Sequence, residues 1–234
     1  MEKHKEIFID QIELTELVSP EVQKEPQQHI AAIALTLAGV AMDFARVERV
    51  PRYADSLRES DVEHSYMLSL IASELAYTLY PATLDTGLVA QYAGVHDLIE
   101  LKTADVGTFN ISAEDLARKE QLEHDALDEL IETLPPYTGA LVRAYESQQS
   151  LESRFVRAVD KLMPVLVDIL GDGVRIMVED FNVESAATLL EDHLKLNARL
   201  REKYEEFPEI IDAHALLCEL FELESEEAFN LLSA

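Results

Sequence analysis

The feature that most constrains this chain is the spacing of its apolar residues. They recur at helical intervals in segment after segment, and no stretch alternates strictly enough to mark a strand. From Gln27 to Val47, Ile30, Ile33, Leu35, Leu37, Val40, Met42 and Phe44 predict a long buried helix. Asp61 is expected to cap a helix reaching about Leu79, with Met67, Leu68, Ile71 and Leu75 at core spacing. Another helix is predicted from about Asp85 to Leu101, and a further one from a capping-box pattern at Ser112 to Leu134, where Pro135-Pro136 stops it. A short helix is expected around Leu141–Tyr145. Ser150 should cap the next, which Pro164 should kink. Beyond Gly171-Asp172-Gly173 the pattern predicts a charge-laced helix around Ser185–Tyr204 and two short C-terminal helices. The expected fold class is therefore all-α, with an N-terminal helix or extension over 1–26, amphipathic from Ile7 to Leu17, a main domain over 27–170 and a helical extension over 171–234 packed on it.

A chain of 234 residues can bury a sizeable core, and its hydrophobic fraction of 48% is ordinary. Its net charge of −27 is not ordinary. So acidic a chain lacks the Lys and Arg that displace counterions from nucleic acid, and it repels anionic membrane. An anionic small substrate is compatible only if a bound metal and local basic residues reverse the sign inside a pocket. The single cysteine, Cys218, excludes an internal disulfide and fits a reducing compartment. The start, Met1-Glu2-Lys3-His4-Lys5-Glu6, is polar with no apolar run after it, and no run of eighteen apolar residues occurs. A cytoplasmic protein that spans no membrane is the expectation.

Against this background a few polar residues stand out because they interrupt apolar helical faces. His96-Asp97 sits among Leu88, Val89, Ala90, Tyr92, Ala93 and Val95, with Glu100 four residues beyond the His. His-Asp pairs are cheap: with seven His and sixteen Asp, composition alone gives about half of one. A second pair, His124-Asp125, lies in a charged stretch and reads as solvated surface. Asp and His are seldom fully buried unless paired or bound to metal. A satisfied core histidine and a metal ligand are both open for His96 taken alone. His64, in the first turn of its helix, and Asp160, alone among Phe155, Val156, Val159, Leu162 and Met163, share the pattern. If these helical faces converge, two His and two Asp surround one point. That mixed nitrogen and oxygen set suits Mn, Fe, Co, Ni or Zn better than Mg or Ca, which prefer all-oxygen shells. An arginine-rich connector, with Arg46, Arg49, Arg52 and Arg58, offers forks that match phosphate oxygens or, equally, pair with surface carboxylates.

These residues together resemble the H…HD…D signature of HD-domain metal-dependent phosphohydrolases. Asp61-Val62-Glu63-His64 is similar to the first motif of the branch that holds bacterial 5′-deoxynucleotidases and the eukaryotic HD-domain-containing-2 proteins. His96-Asp97-Leu98-Ile99-Glu100 followed by Thr103-Ala104-Asp105 is similar to its second motif, Arg49-Val50-Pro51 to its upstream R-x-P, and Val159-Asp160 to its last. The likeness covers roughly residues 27–170. It implies an HD-domain helical bundle with extra C-terminal helices. His64, His96, Asp97 and Asp160 would be metal ligands, and Glu100 the general acid or base. Arg49 would lie on the substrate phosphate, with Arg52 and Lys102 as further substrate-binding cations, and Asp105 at the sugar. Ala104 stands where the branch carries Gly, and Val106-Gly107 replaces a proline-bearing continuation.

The implied activity is hydrolysis of (deoxy)nucleoside 5′-monophosphates, in a homodimer. A deoxynucleoside triphosphate triphosphohydrolase is the alternative, for which Arg52, Arg58, Lys102, Arg154, Arg157 and Lys161 are available cations. A non-catalytic nucleotide-sensing module is a third reading, disfavoured because such a site has no chemical use for Glu100. The charge-laced C-terminal helices are expected to form a dimer surface or a cap over the site.

Overall fold

The computed structural model describes residues 26–53, 57–103 and 113–232. The chain divides into two compact units, Met1–Met42 and Asp43–Ala234. Of the first, the described part is most of helix α1 (Pro26–Phe44). The helix is present as expected, but it is not the buried element that its composition suggests: Ile30, Leu35 and Met42 are exposed.

In the second unit helices follow one another as the spacing predicts, apart from a short one over Gly173–Glu179 that was not expected. They are α2 (Asp61–Leu79), α3 (Thr86–Val95), a single turn α4 (Glu100–Thr103), α5 (Ala113–Thr133), α6 (Pro136–Glu146), α7 (Leu151–Asp160), α8 (Met163–Leu170), α9 (Gly173–Glu179), α10 (Ala186–Lys203) and α11 (Pro208–Leu232). One departure is a small antiparallel hairpin, β1 (Glu48–Arg52) and β2 (Arg58–Ser60), in the stretch expected to be a connector. Five- and three-residue strands are too short to show alternation, and Pro51 is tolerated because nothing among the described residues pairs beyond β1.

Other boundaries shift for identifiable reasons. Ser60, not Asp61, caps α2: its hydroxyl accepts from Glu63 N while the Glu63 carboxylate takes the Ser60 N–H, a full capping box. Asp85 caps α3 through Gly87 N and Leu88 N, but α3 stops at Val95. Pro135-Pro136 does more than end α5: Pro136 opens α6. The break after α7 falls at Lys161 and Leu162, so Pro164 sits in the first turn of α8, where its missing N–H costs nothing. At the C-terminus one 25-residue helix, α11, stands in place of two short ones. Ser112 lies outside the described residues.

The main core joins Leu68, Ala72 and Ala76 of α2 to Val89, Tyr92 and Ala93 of α3, Tyr145 of α6 and Phe155, Val156 and Val159 of α7. Small residues at 72, 76 and 93 let α2 and α3 lie close together. A second cluster, with Val165, Met177, Leu189, Cys218 and Phe221, joins α8 and α9 to α10 and α11. Two ties fasten the hairpin to this C-terminal half. Asp172 N donates to Arg52 O at 3.2 Å, and the Arg52 guanidinium pairs with Glu179 and Asp180 at 3.2 and 2.7 Å. Gly171 makes the first tie possible, because a Cβ there would collide with the carbonyls of Arg52 and Val167. Replacing Gly171 by Ala is expected to destabilise the protein by about 1–3 kcal/mol, as in other overpacked sites. Urea titration reads this as a lower midpoint with unchanged slope.

Burial also places titratable groups in the C-terminal half. It lowers the pKa of His193 and of His214 to about 4, so both rings are neutral in the fold but charge near 6.5 when unfolded. Their contribution is fully present above 6.5 and is lost as pH falls towards 4, roughly 2 kcal/mol per ring by pH 5. Asp168, pushed up to about 7 by burial and by the charge of Glu59, acts in the opposite sense, since its folded form binds the extra proton below 7. Chemical denaturation between pH 7 and 4.5 should therefore show stability falling with pH, and falling more steeply in Asp168→Asn.

Candidate metal centre and its surroundings

Three of the four candidate ligands prolong an apolar core stripe by one turn. On α2, Ala76, Ala72 and Leu68 lead back to His64 and Asp61, both fully buried. On α3, Val89, Tyr92 and Ala93 lead forward to His96, and on α7, Val156 and Val159 lead to Asp160. The start of α2 thus meets the ends of α3 and α7, and the polar residues that close each stripe meet there.

The result is one cluster. His64, His96, Asp97 and Asp160 each offer a ligand atom, all within 4.8 Å of one another. His64 Nε2 lies 3.1 Å from Asp160 Oδ1 and 3.8 Å from Asp97 Oδ2. His96 Nε2 lies 2.9 Å from Asp97 Oδ2 and 3.8 Å from Asp160 Oδ1. Donors about 2.1 Å from a common ion stand about 3.0 Å apart at right angles and about 4.2 Å apart across it, so these separations suit a shared ion. His96 Nδ1 donates to Ala93 O at 2.9 Å, an end-of-helix carbonyl, which fixes the tautomer and leaves the Nε2 lone pair facing the cluster. That Nε2 is buried and makes no hydrogen bond. The Tyr145 ring stands edge-on to His96 at 6.1 Å.

Charge makes the same point. Glu59, Asp61, Asp97, Glu100 and Asp160 surround two cations. Arg49 reaches Asp97 at 2.8 Å, Asp61 at 3.1 Å, Glu59 at 3.4 Å and Glu100 at 4.0 Å, and Lys161 holds Asp160 Oδ2 at 2.7 Å. Five carboxylates against two cations leave an excess of negative charge in a buried place, which a divalent ion offsets. Desolvation disfavours the charged forms throughout. Even so, His96 and Arg49 hold the Asp97 carboxyl well below its usual range, and Lys161 with the two histidines does so for Asp160. Burial and the Arg49 charge oppose a proton on His64, yet Asp160 and Glu59 raise its pKa to about 9. Without an ion, a proton on His64 supplies part of the missing positive charge.

Glu100 reaches the site differently from its expected place on a continuous helix. After Val95 the chain tightens: Leu98 N bonds to Val95 O, Glu100 N to Asp97 O and Lys102 N to Ile99 O, all three residues back. In such winding residues three apart eclipse, so Asp97 and Glu100, rather than His96 and Glu100, share a face. Asp61, Asp97 and Glu100 accordingly bring carboxylate oxygens within 4.8 Å of one another. Glu100 is 5% exposed, against the cluster but not in the four-ligand set.

Of the substrate-binding candidates, Arg49 is at the cluster. Arg52 turns to Glu179 and Asp180 on the other side of the hairpin, and Lys102 pairs with Glu129 of α5 at 2.7 Å. Asp105 lies outside the described residues. Sequence reading missed Glu59 at the cluster, named Lys161 only as a cation available for a triphosphate, and took Asp61 for a cap. For two of them the signal was present in register: Asp61 sits three residues before His64 on the core stripe, and Lys161 follows Asp160.

With this geometry in view, a model of the HD domain matches residues 44–207, and the chain belongs to the HD-domain family. Among solved structures, a protein called "predicted metal-dependent phosphohydrolase" from Magnetospirillum magnetotacticum MS-1 is 23% identical with a TM-score of 0.58. The match covers 82% of this chain and 96% of that one, and shares the fold. A conserved hypothetical protein from Pyrococcus furiosus is 23% identical over 76% of this chain and 99% of its own, with a TM-score of 0.47. No curated protein matches. No helix among the described residues is long and apolar enough to cross a membrane.

Replacing His96 or Asp97 by Ala should abolish tight binding of Zn or Mn in a chelator competition. Replacing His124, exposed on α5, should leave it unchanged.

Proposed function

We propose that this HD-domain chain is a metal-dependent phosphohydrolase that cleaves (deoxy)nucleoside 5′-monophosphates to nucleoside and orthophosphate. The observation that carries the reading is the pairing of a four-ligand cluster with a buried carboxylate, Glu100, beside it on the face of Asp97. His64, His96, Asp97 and Asp160 would hold a divalent ion, which would lower the pKa of a bound water and offset charge on the phosphate. Glu100 takes a proton from the attacking water and returns one to the leaving 5′ oxygen. Arg49 and Lys161 hold the phosphate oxygens. Mn, Co, Fe, Ni or Zn suits the two imidazoles better than Mg.

Each basic residue that could meet a phosphate already has a partner within the chain. Of those available for a triphosphate, Arg52, Lys102, Arg154 and Arg157 pair with Glu179 and Asp180, Glu129, Glu206 and Glu146. Arg58 donates to the Arg49 carbonyl. Arg49 and Lys161 stand against the ligands themselves.

The test is a phosphate-release panel. Metal-stripped protein is supplied with Mn, Co, Zn or Mg and offered deoxynucleoside mono- and triphosphates beside ribonucleotides, with products read by chromatography. Orthophosphate from monophosphates is expected, whereas tripolyphosphate from triphosphates would replace this reading with the triphosphohydrolase. Glu100→Gln is expected to lower kcat by about 100-fold or more while metal affinity stays within a few fold of the parent.

A further inference from the structure

We propose that Glu59 is a positioning residue that sets His64 as a metal ligand, a role that rests on reading the cluster as a metal centre. Glu59 is the one inward residue of β2, 1% exposed between exposed Arg58 and half-buried Ser60. Its Oε2 lies 3.6 Å from His64 Nδ1 and 3.4 Å from Arg49 Nε. One buried carboxylate thus faces both the back of a ligand imidazole and the arginine that holds Asp97.

The need for such a group follows from where the two histidines sit. An imidazole can bind metal through Nε2 only if its remaining proton is on Nδ1, and an acceptor behind the ring fixes that tautomer. His96 stands at a helix end, where backbone carbonyls lack helical partners, and Ala93 O serves it. His64 stands in the first turn of α2. There the unpaired backbone groups are N–H donors, and the carbonyls are engaged by the helix itself. No acceptor comes from its own backbone, and the adjacent strand supplies a carboxylate instead. His64 Nδ1 and Glu59 Oε1 are both buried without a hydrogen bond. A hydrogen bond to Nδ1 needs an approach about 0.6 Å closer than the present ion-pair distance. Drawing the ring onto a metal through Nε2 favours the Nδ1–H that Glu59 would accept. Because Glu59 also holds Arg49, it couples the orientation of a ligand to that of the cation beside Asp97.

The test uses the full chain with zinc as probe. Zinc affinity is measured by chelator competition, and the His64 tautomer by long-range 1H–15N correlation, in the parent, Glu59→Gln and Glu59→Leu. Gln keeps an oxygen acceptor without the charge, and Leu removes both. Affinity is expected to fall about 10-fold in Glu59→Gln and about 100-fold in Glu59→Leu, the range seen when partners of ligand histidines are removed. The Nδ1–H signature of His64 should weaken in the same order while that of His96 stays. If Leu does not fold, the Gln variant alone decides. Zinc affinity and His64 tautomer equal to the parent's, with only a lower unfolding midpoint, would overturn the proposal and leave the metal centre standing. A parent chain that binds no zinc, manganese or cobalt would overturn the metal reading itself.

Discussion

The structure depends on one unfavourable arrangement: several carboxylates buried around a single point with too little positive charge to match them. Isolated buried charge is costly in a protein interior, and such groups persist only when paired or bound to an ion. Arg49 is the internal counterweight. It threads from β1 into the space between Asp61, Asp97 and Glu59, and Lys161 closes the far side at Asp160. The excess that remains favours a bound cation. It also explains how so acidic a chain can be imagined holding a phosphate: the sign of the charge at the cluster is set locally, not by the net −27.

Helical periodicity does the placing. The stripes that build the core on α2, α3 and α7 do not stop where the apolar residues stop. They run one turn further into His64, His96 and Asp160, so the packing that buries Leu68, Tyr92 and Val156 also brings the candidate ligands together. Precision at the site is therefore inherited from close packing, which interiors maintain to within fractions of an ångström.

What the sequence made legible follows the same physics. The all-α class and the clustering of His64, His96, Asp97 and Asp160 could be read because each depends on regular spacing or on polar residues conspicuous in an apolar face. The hairpin was hidden because its two strands are too short to alternate visibly, and with it went Glu59. The winding after Val95 was hidden because a switch from four-residue to three-residue hydrogen bonding leaves no mark in composition, and so Glu100 was paired with the wrong neighbour. Arg52 and Lys102 were drawn towards the site by proximity in sequence, and only tertiary partners on α9 and α5 show where they turn. The exposed apolar residues of α1 show the limit of composition as a guide to burial.

The close approach at Gly171 has a reach beyond local packing. Strand β1 is short, carries Arg49 as its second residue, and is fastened at its far end to the turn between α8 and α9 and to the acidic end of α9. The depth to which Arg49 enters the cluster is thus gauged from a segment that contributes no ligand. A chain cut just after α8 would retain His64, His96, Asp97, Glu100 and Asp160 in its sequence, yet it would be an arch without its abutment.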